Sequence, residues 1–126
     1  MRESRGNIVI VEDDAGLNRA VVRLLQAAGF QSFSFDCAEG LLASNVATFA
    51  DCFILDVHLP GISGVELRTK LNDTGMSRPV IFITAHDDPE TRSSTHDAAM
   101  CLTKPFTGRA LIQAIDSALV SATPPG

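Results

Sequence analysis

Five residues of this chain have the types and spacing to do chemistry together: Glu12, Asp13, Asp56, Thr84 and Lys104. Each sits at or just past the end of a short apolar run: NIVIV (7–11), CFIL (52–55), PVIFI (79–83) and AAMCL (98–102). Runs of this length are too short for buried helices and read as strands apolar on both faces. In an open parallel α/β sheet, ligands bind at the C-terminal edge of the strands, so an acid there is placed for chemistry rather than packing. A lone strand-end Asp more often only opens a turn, and it is the company of the other four that changes the reading of Asp56. Gathered at one edge, the acids repel: two like charges ~4 Å apart cost about 4 kcal/mol at an effective dielectric of ~20. Something cationic must sit among them. Ligation by carboxylates, water and phosphate oxygens suits Mg2+, whereas Zn2+ calls for Cys or His ligands that this set lacks. Lys104 brings a second positive charge and Thr84 a hydroxyl. A carboxylate, a divalent ion, an ammonium and a hydroxyl around one point make a receptor for a phosphoryl group, which the carboxylate can accept as nucleophile.

The elements that must position these residues follow from periodicity and punctuation. After the first strand, Leu17, Val21, Leu24 and Ala28 recur at helical spacing, with Asp14 as N-cap and Gly29 as the stop. Phe30 to Phe35 alternates Phe with polar residues, as a strand nearer the sheet edge does. Asp36 and Glu39 have capping-box spacing for a short helix through Ser44, and Ser63 and Glu66 have it for a helix carrying Val65, Leu67 and Leu71. Pro60-Gly61 turns the chain between Asp56 and that helix, and 72–77 reads as loop. Asp88-Pro89-Glu90 starts a fourth helix through Asp97, which has almost no apolar stripe and is expected to be weakly anchored. The last helix runs from about Thr107, with Leu111, Ile115, Ala118 and Leu119 on one face. Five strands alternating with five helices predict an α/β fold, a (βα)5 doubly wound five-stranded parallel sheet in the flavodoxin-like order 2-1-3-4-5. That order makes strands 1 and 3 central neighbours and brings Glu12, Asp13 and Asp56 together.

Composition narrows the function classes. At 126 residues with 45% hydrophobic content, the chain can bury one core without staples; residues 1–121 read as one domain and 122–126 (ATPPG) as a linker-like tail. Cys37, Cys52 and Cys101 lack CxxC spacing and lie in apolar contexts, so they read as reduced packing residues of a cytoplasmic protein. No run approaches the ~20 apolar residues of a membrane span, and the polar MRESRGN leads straight into a strand. A net charge of −5 without a Lys/Arg cluster argues against direct nucleic-acid binding.

The set VEDD (11–14), ILDVHLPGISG (54–64), ITA (83–85) and TKPF (103–106) resembles the receiver domain of two-component response regulators, from about Asn7 to Leu119. GISGVEL and Ala85-His86-Asp87 are most similar to regulators of the FixJ type, in which a receiver precedes a LuxR-type helix-turn-helix domain. The resemblance implies that Asp56 is the phosphoacceptor for a sensor histidine kinase phosphohistidine or a small phosphodonor. It implies that Asp13 ligates Mg2+ directly, Glu12 helps through water, and the His58 backbone carbonyl completes the protein ligands. Lys104, joined to Pro105 by a cis bond, would pair with phosphoryl oxygens; Thr84 would donate its hydroxyl, and small Ala85 would leave the phosphoryl group room to enter. Switching of a surface formed by the fourth helix, fifth strand and last helix is implied as output, along with dimerisation and a C-terminal DNA-binding effector domain beyond this chain. Such a domain is a signalling phosphoacceptor, not an enzyme, although it runs its own phosphorylation and dephosphorylation.

Two positions depart from the family pattern. Cys101 stands where an aromatic residue or His is usual, and Asp97 where glycine is common. A thiol sweeps less volume than a ring, so the expectation is a switch that orders or shifts the loose fourth helix instead of rotating a ring. Cys101 is expected to be buried and therefore redox-inert. His58 and His86 flank the path of hydrolytic water in this family and are candidates for tuning the lifetime of the phosphorylated state; His96 has no motif context. Rival readings remain. A haloacid-dehalogenase-like phosphatase also uses a strand-end Asp with Mg2+, but it usually has an Asp where His58 stands and carries a cap domain. A flavodoxin-like cofactor binder needs a Gly/Ser/Thr-rich phosphate loop where this chain has acids. A receiver-shaped docking module would never take up phosphate.

Overall fold

The computed structural model describes residues 5–75, 78–84 and 100–122. Five strands, β1 (Asn7–Val11), β2 (Gln31–Phe35), β3 (Cys52–Asp56), β4 (Val80–Thr84) and β5 (Met100–Thr103), form one parallel sheet in the order β2-β1-β3-β4-β5. This is the order expected from the alternation of strand and helix signals. Helices α1 (Ala15–Ala27), α2 (Ala38–Leu42), α3 (Gly64–Asp73) and α4 (Gly108–Ala122) pack around it, with a 3-10 turn at Val46–Phe49.

The strands are apolar on both faces because both faces are covered. Ile8, Ile10, Ile54, Ile81 and Ile83 point to the side of α1 and α4, where Val21, Leu25, Leu111 and Ile115 meet them. Val9, Val11, Phe53, Leu55 and Phe82 point the other way, onto Ala38, Leu41, Leu67 and Leu71. All five residues of β3 and of β4 are buried, whereas β2 at the edge keeps Gln31 and Ser34 exposed. The expected apolar stripe of the last helix lies on the core, with Leu111, Ile115 and Ala118 buried and Leu119 partly so.

Helix boundaries follow their caps. Asp14 accepts the Leu17 amide and starts α1, and Gly29 takes φ +95° just past its end. Ser63 and Glu66 form the expected capping box on α3. Three expectations need correcting. Glu39 does not box α2: the N-cap is Cys37, which makes no side-chain cap bond, and the Glu39 carboxylate reaches the Ile62 amide instead. α3 continues through Asn72 and Asp73, since residues that disfavour helix interiors are tolerated in a last turn, and stops before Gly75 at φ +83°. β5 continues to Thr103, one residue past the apolar run, because Thr103 pairs with Thr84; the expected start at Ala98 lies outside the described residues. The fourth-helix reading (88–97), Asp97, and the terminal residues 123–126 lie outside the described residues. No helix among the described residues is long and apolar enough to cross a membrane.

Candidate functional site

β1 and β3 run side by side, with Val11 paired to Leu55, so the residues that follow emerge together at the sheet's C-terminal edge. Carboxylate oxygens of Glu12, Asp13 and Asp56 all lie within 4.8 Å of one another. Glu12 is fully buried and Asp56 nearly so, while Asp13 is exposed. Lys104 reaches into this cluster, its Nζ 3.1 Å from Asp56 Oδ2 and 3.3 Å from Glu12 Oε1. The Lys104 amide donates to the Thr84 carbonyl at 2.9 Å, which anchors the lysine beside the end of β4; the Lys104–Pro105 bond is cis. Thr84 is buried at that end. Asp56 Oδ1 accepts the His58 amide at 2.8 Å, so the start of the loop after β3 folds back over its own carboxylate. The structure thus brings Glu12, Asp13, Asp56 and Lys104 together, with Thr84 at the next strand end. Ala85, His86 and His96 lie outside the described residues.

Glu12 carries the electrostatic tension. Its Oε2 accepts the Asp14 amide at 3.1 Å. Its Oε1, buried, makes no hydrogen bond among the described residues, because the lysine stands at ion-pair distance without hydrogen-bond geometry. Burial, followed by the adjacent Asp56 carboxylate that a protonated Glu12 can hydrogen-bond, pushes its carboxyl up to about 7; the Asp14 amide and Lys104 only partly offset this. For Lys104 the largest effect is burial, which lowers its pKa, but the Asp56 hydrogen bond and the charges of Asp56 and Glu12 outweigh it and the net shift is upward. One lysine among three carboxylates leaves negative charge in excess. A cluster made only of oxygen donors, with one buried oxygen that makes no hydrogen bond among the described residues, fits a hard divalent cation such as Mg2+.

Sequence reasoning missed two supports of this site. Asn18 on α1 donates through Nδ2 to the carbonyls of Glu12 at 3.0 Å and Phe35 at 3.1 Å, tying the ends of β1 and β2 to the helix. Its only signal was a polar residue one turn past the Asp14 cap. Gly64 packs so closely on the end of β3 that a Cβ there would collide with the Asp56 backbone carbonyl. The signal was a poor helix former directly after a strong N-cap. A cleft of about 440 Å3, lined by residues including Glu12, Asp13, Asn18, Arg19 and Asp36, opens on the β2 side of the acids.

Of the cysteines, Cys52 packs in the core as expected, whereas Cys101 does not. Cys52 is buried and its thiol is pushed up to about 12, chiefly by burial with Asp51 adding. Cys37 is half-buried. Cys101 is exposed rather than buried.

The sequence matches the response regulator receiver domain family over residues 8–116. The chain belongs to that family. Nodulation protein W of Bradyrhizobium diazoefficiens is 35% identical to this receiver domain over 113 residues, 88% of the chain and 50% of that protein. The transcriptional regulatory protein FixJ of the same organism is 30% identical over 123 residues, 96% of the chain and 60% of that protein. The solved structure of FixJ-N superposes with a TM-score of 0.84 at 27% identity, covering 99% of this chain and all of that one. The receiver domain therefore spans about half the length of the relatives it matches.

Proposed function

We propose that this receiver domain takes a phosphoryl group onto Asp56 from a sensor histidine kinase phosphohistidine in a Mg2+-dependent transfer. The single observation that carries the reading is Lys104 Nζ held between Asp56 and Glu12 at the end of the central strands. In the transfer, an Asp56 carboxylate oxygen forms a bond to phosphorus while the bond from phosphorus to the donor's imidazole nitrogen breaks, its electron pair staying on the ring. Lys104 neutralises Asp56 beforehand and passes to the phosphoryl oxygens as charge builds on them. Thr84 donates its hydroxyl to the new group, and Ala85 leaves the space through which it enters. Asp13 would hold the ion directly, Glu12 through water, and the His58 carbonyl would complete the protein ligands. Bound there, Mg2+ supplies charge neutralisation and alignment of the phosphoryl oxygens. The chain acts as a signalling phosphoacceptor in the cytoplasm and not as a turnover enzyme. Its output would be a changed surface on β5, α4 and the segment between β4 and β5, read by a DNA-binding effector domain or by a second receiver.

The test is intact-mass analysis after incubation with acetyl phosphate and Mg2+. The expected result is a single phosphoryl adduct on the parent, absent from Asp56→Asn and from a sample with EDTA. A parent that stays unlabelled while folded would instead support a docking module that never takes up phosphate.

A further inference from the structure

We propose that Glu39 is a positioning residue of this site, its carboxylate tying the tip of the loop between β3 and α3 to helix α2. That loop would present the His58 carbonyl to the metal ion, so the proposal rests on the reading of Asp56 given above.

The two ends of the loop are held by backbone bonds. The Val57 amide donates to the Ile83 carbonyl at 2.9 Å, and the Gly64 amide donates to the Val57 carbonyl at 3.1 Å. Leu59 is buried and the His58 amide is on Asp56. Past Leu59 the chain turns outward, and Gly61 adopts φ +73°, a left-handed conformation. At this tip Glu39 Oε2 accepts the Ile62 amide at 3.3 Å from 23 residues earlier in the chain. The same oxygen lies against Gly61, 2.5 Å from where a Cβ would stand. Glycine is thus needed there for its backbone angle and also to let the carboxylate approach. Glu39 sits in the first turn of α2, whose N-cap makes no side-chain bond. Its carboxylate has turned from the nearby helix amides to the loop.

Losing the tether frees the tip, and the ordering of the loop must then be supplied when the ion binds. The cost falls on Mg2+ affinity and not on the transfer step. Glu39 is exposed, so its replacement leaves the core intact. Adduct formation from acetyl phosphate is followed against Mg2+ concentration for the parent, Glu39→Ala and Glu39→Gln. Glu39→Ala should need roughly fivefold more Mg2+ for the half-maximal rate, the size of one modest hydrogen bond, with the saturated rate unchanged. Glu39→Gln keeps a carbonyl acceptor and should recover the parental Mg2+ dependence. Hydrogen exchange of the metal-free proteins gives a readout without chemistry: the Ile62 amide should exchange faster in Glu39→Ala than in the parent, while Leu67 in α3 is unchanged. Equal losses in both variants would overturn the tether in favour of plain charge, and an unchanged Glu39→Ala would overturn it outright. A parent that forms no adduct would overturn the phosphoacceptor reading instead, and the Ile62 exchange rate would still decide the tether.

Discussion

At the scale of single residues, the site is defined by a buried carboxylate, Glu12, one oxygen of which has no hydrogen bond among the described residues. Glu12 has a carboxyl raised from 4.5 to about 7, so the folded metal-free protein binds its proton more tightly than the unfolded chain does. The stability this proton confers is fully present below about pH 4.5 and is lost as pH rises to about 7. At 1.36 kcal/mol per unit, ionising Glu12 in the metal-free fold costs about 3 kcal/mol. A divalent ion favours the ionised form and removes that cost. The rise in melting temperature on adding Mg2+ should therefore be larger at pH 8 than at pH 6, as thermal unfolding would record; an equal rise at both would disconnect Glu12 from the ion. The gathering of Glu12, Asp13, Asp56 and Lys104 was legible because these residues stand at the ends of apolar runs. Where Glu39 aims was not, since Asp36-x-x-Glu39 has the spacing of a capping box and spacing alone does not say which amide a carboxylate meets.

At the scale of elements, the site depends on how closely α3 approaches the end of β3. Alanine at position 64 would gain about 1 kcal/mol of helix propensity over glycine. Its methyl group would meet the Asp56 carbonyl and the Val57 backbone, neither of which can swing aside as a side chain can. Overpacking costs of up to about 3 kcal/mol outweigh the propensity gain. Chemical denaturation of Gly64→Ala should show a net loss of about 2 kcal/mol, the difference of these effects, and equal or greater stability would mean that the contact is not held. Strands were readable because burial on both faces writes them as continuous β-branched runs, and α1 and α3 because Asp14 and Ser63 announce their starts. Cys101 was misjudged for the opposite reason. It lies on β5 at the sheet edge, and its exposure depends on what covers the outer face, which no local pattern encodes.

At the scale of the whole molecule, the sheet separates two tasks. The acids gather at the C-terminal edge, while at the N-terminal edge Arg5 acts as a clamp. It donates to the Ala28 carbonyl at 3.1 Å, pairs with Asp116 of α4 at 2.5 Å, and stacks 4.5 Å from the centre of the Phe30 ring. Exposed pairs and cation-π contacts are each worth under about 1 kcal/mol. Arg5→Ala should lower stability by about 1 kcal/mol, yet leave the Mg2+-induced rise in melting temperature unchanged, because distant sites add independently. A reduced rise in this variant would show coupling across the sheet. The strand order was legible from the alternation of elements, but the clamp was not, since Arg5 and Asp116 stand 111 residues apart without a motif between them. The proposed function requires that one acid be selected from the 15 that the chain carries. The most direct test of that selection is to label the protein with acetyl phosphate and Mg2+, reduce the acyl phosphate with borohydride, and sequence the peptides by tandem mass spectrometry. The account predicts homoserine at position 56 and no reduced acid elsewhere; homoserine at 13, or 5-hydroxynorvaline at 12, with Asp56 intact, would contradict it.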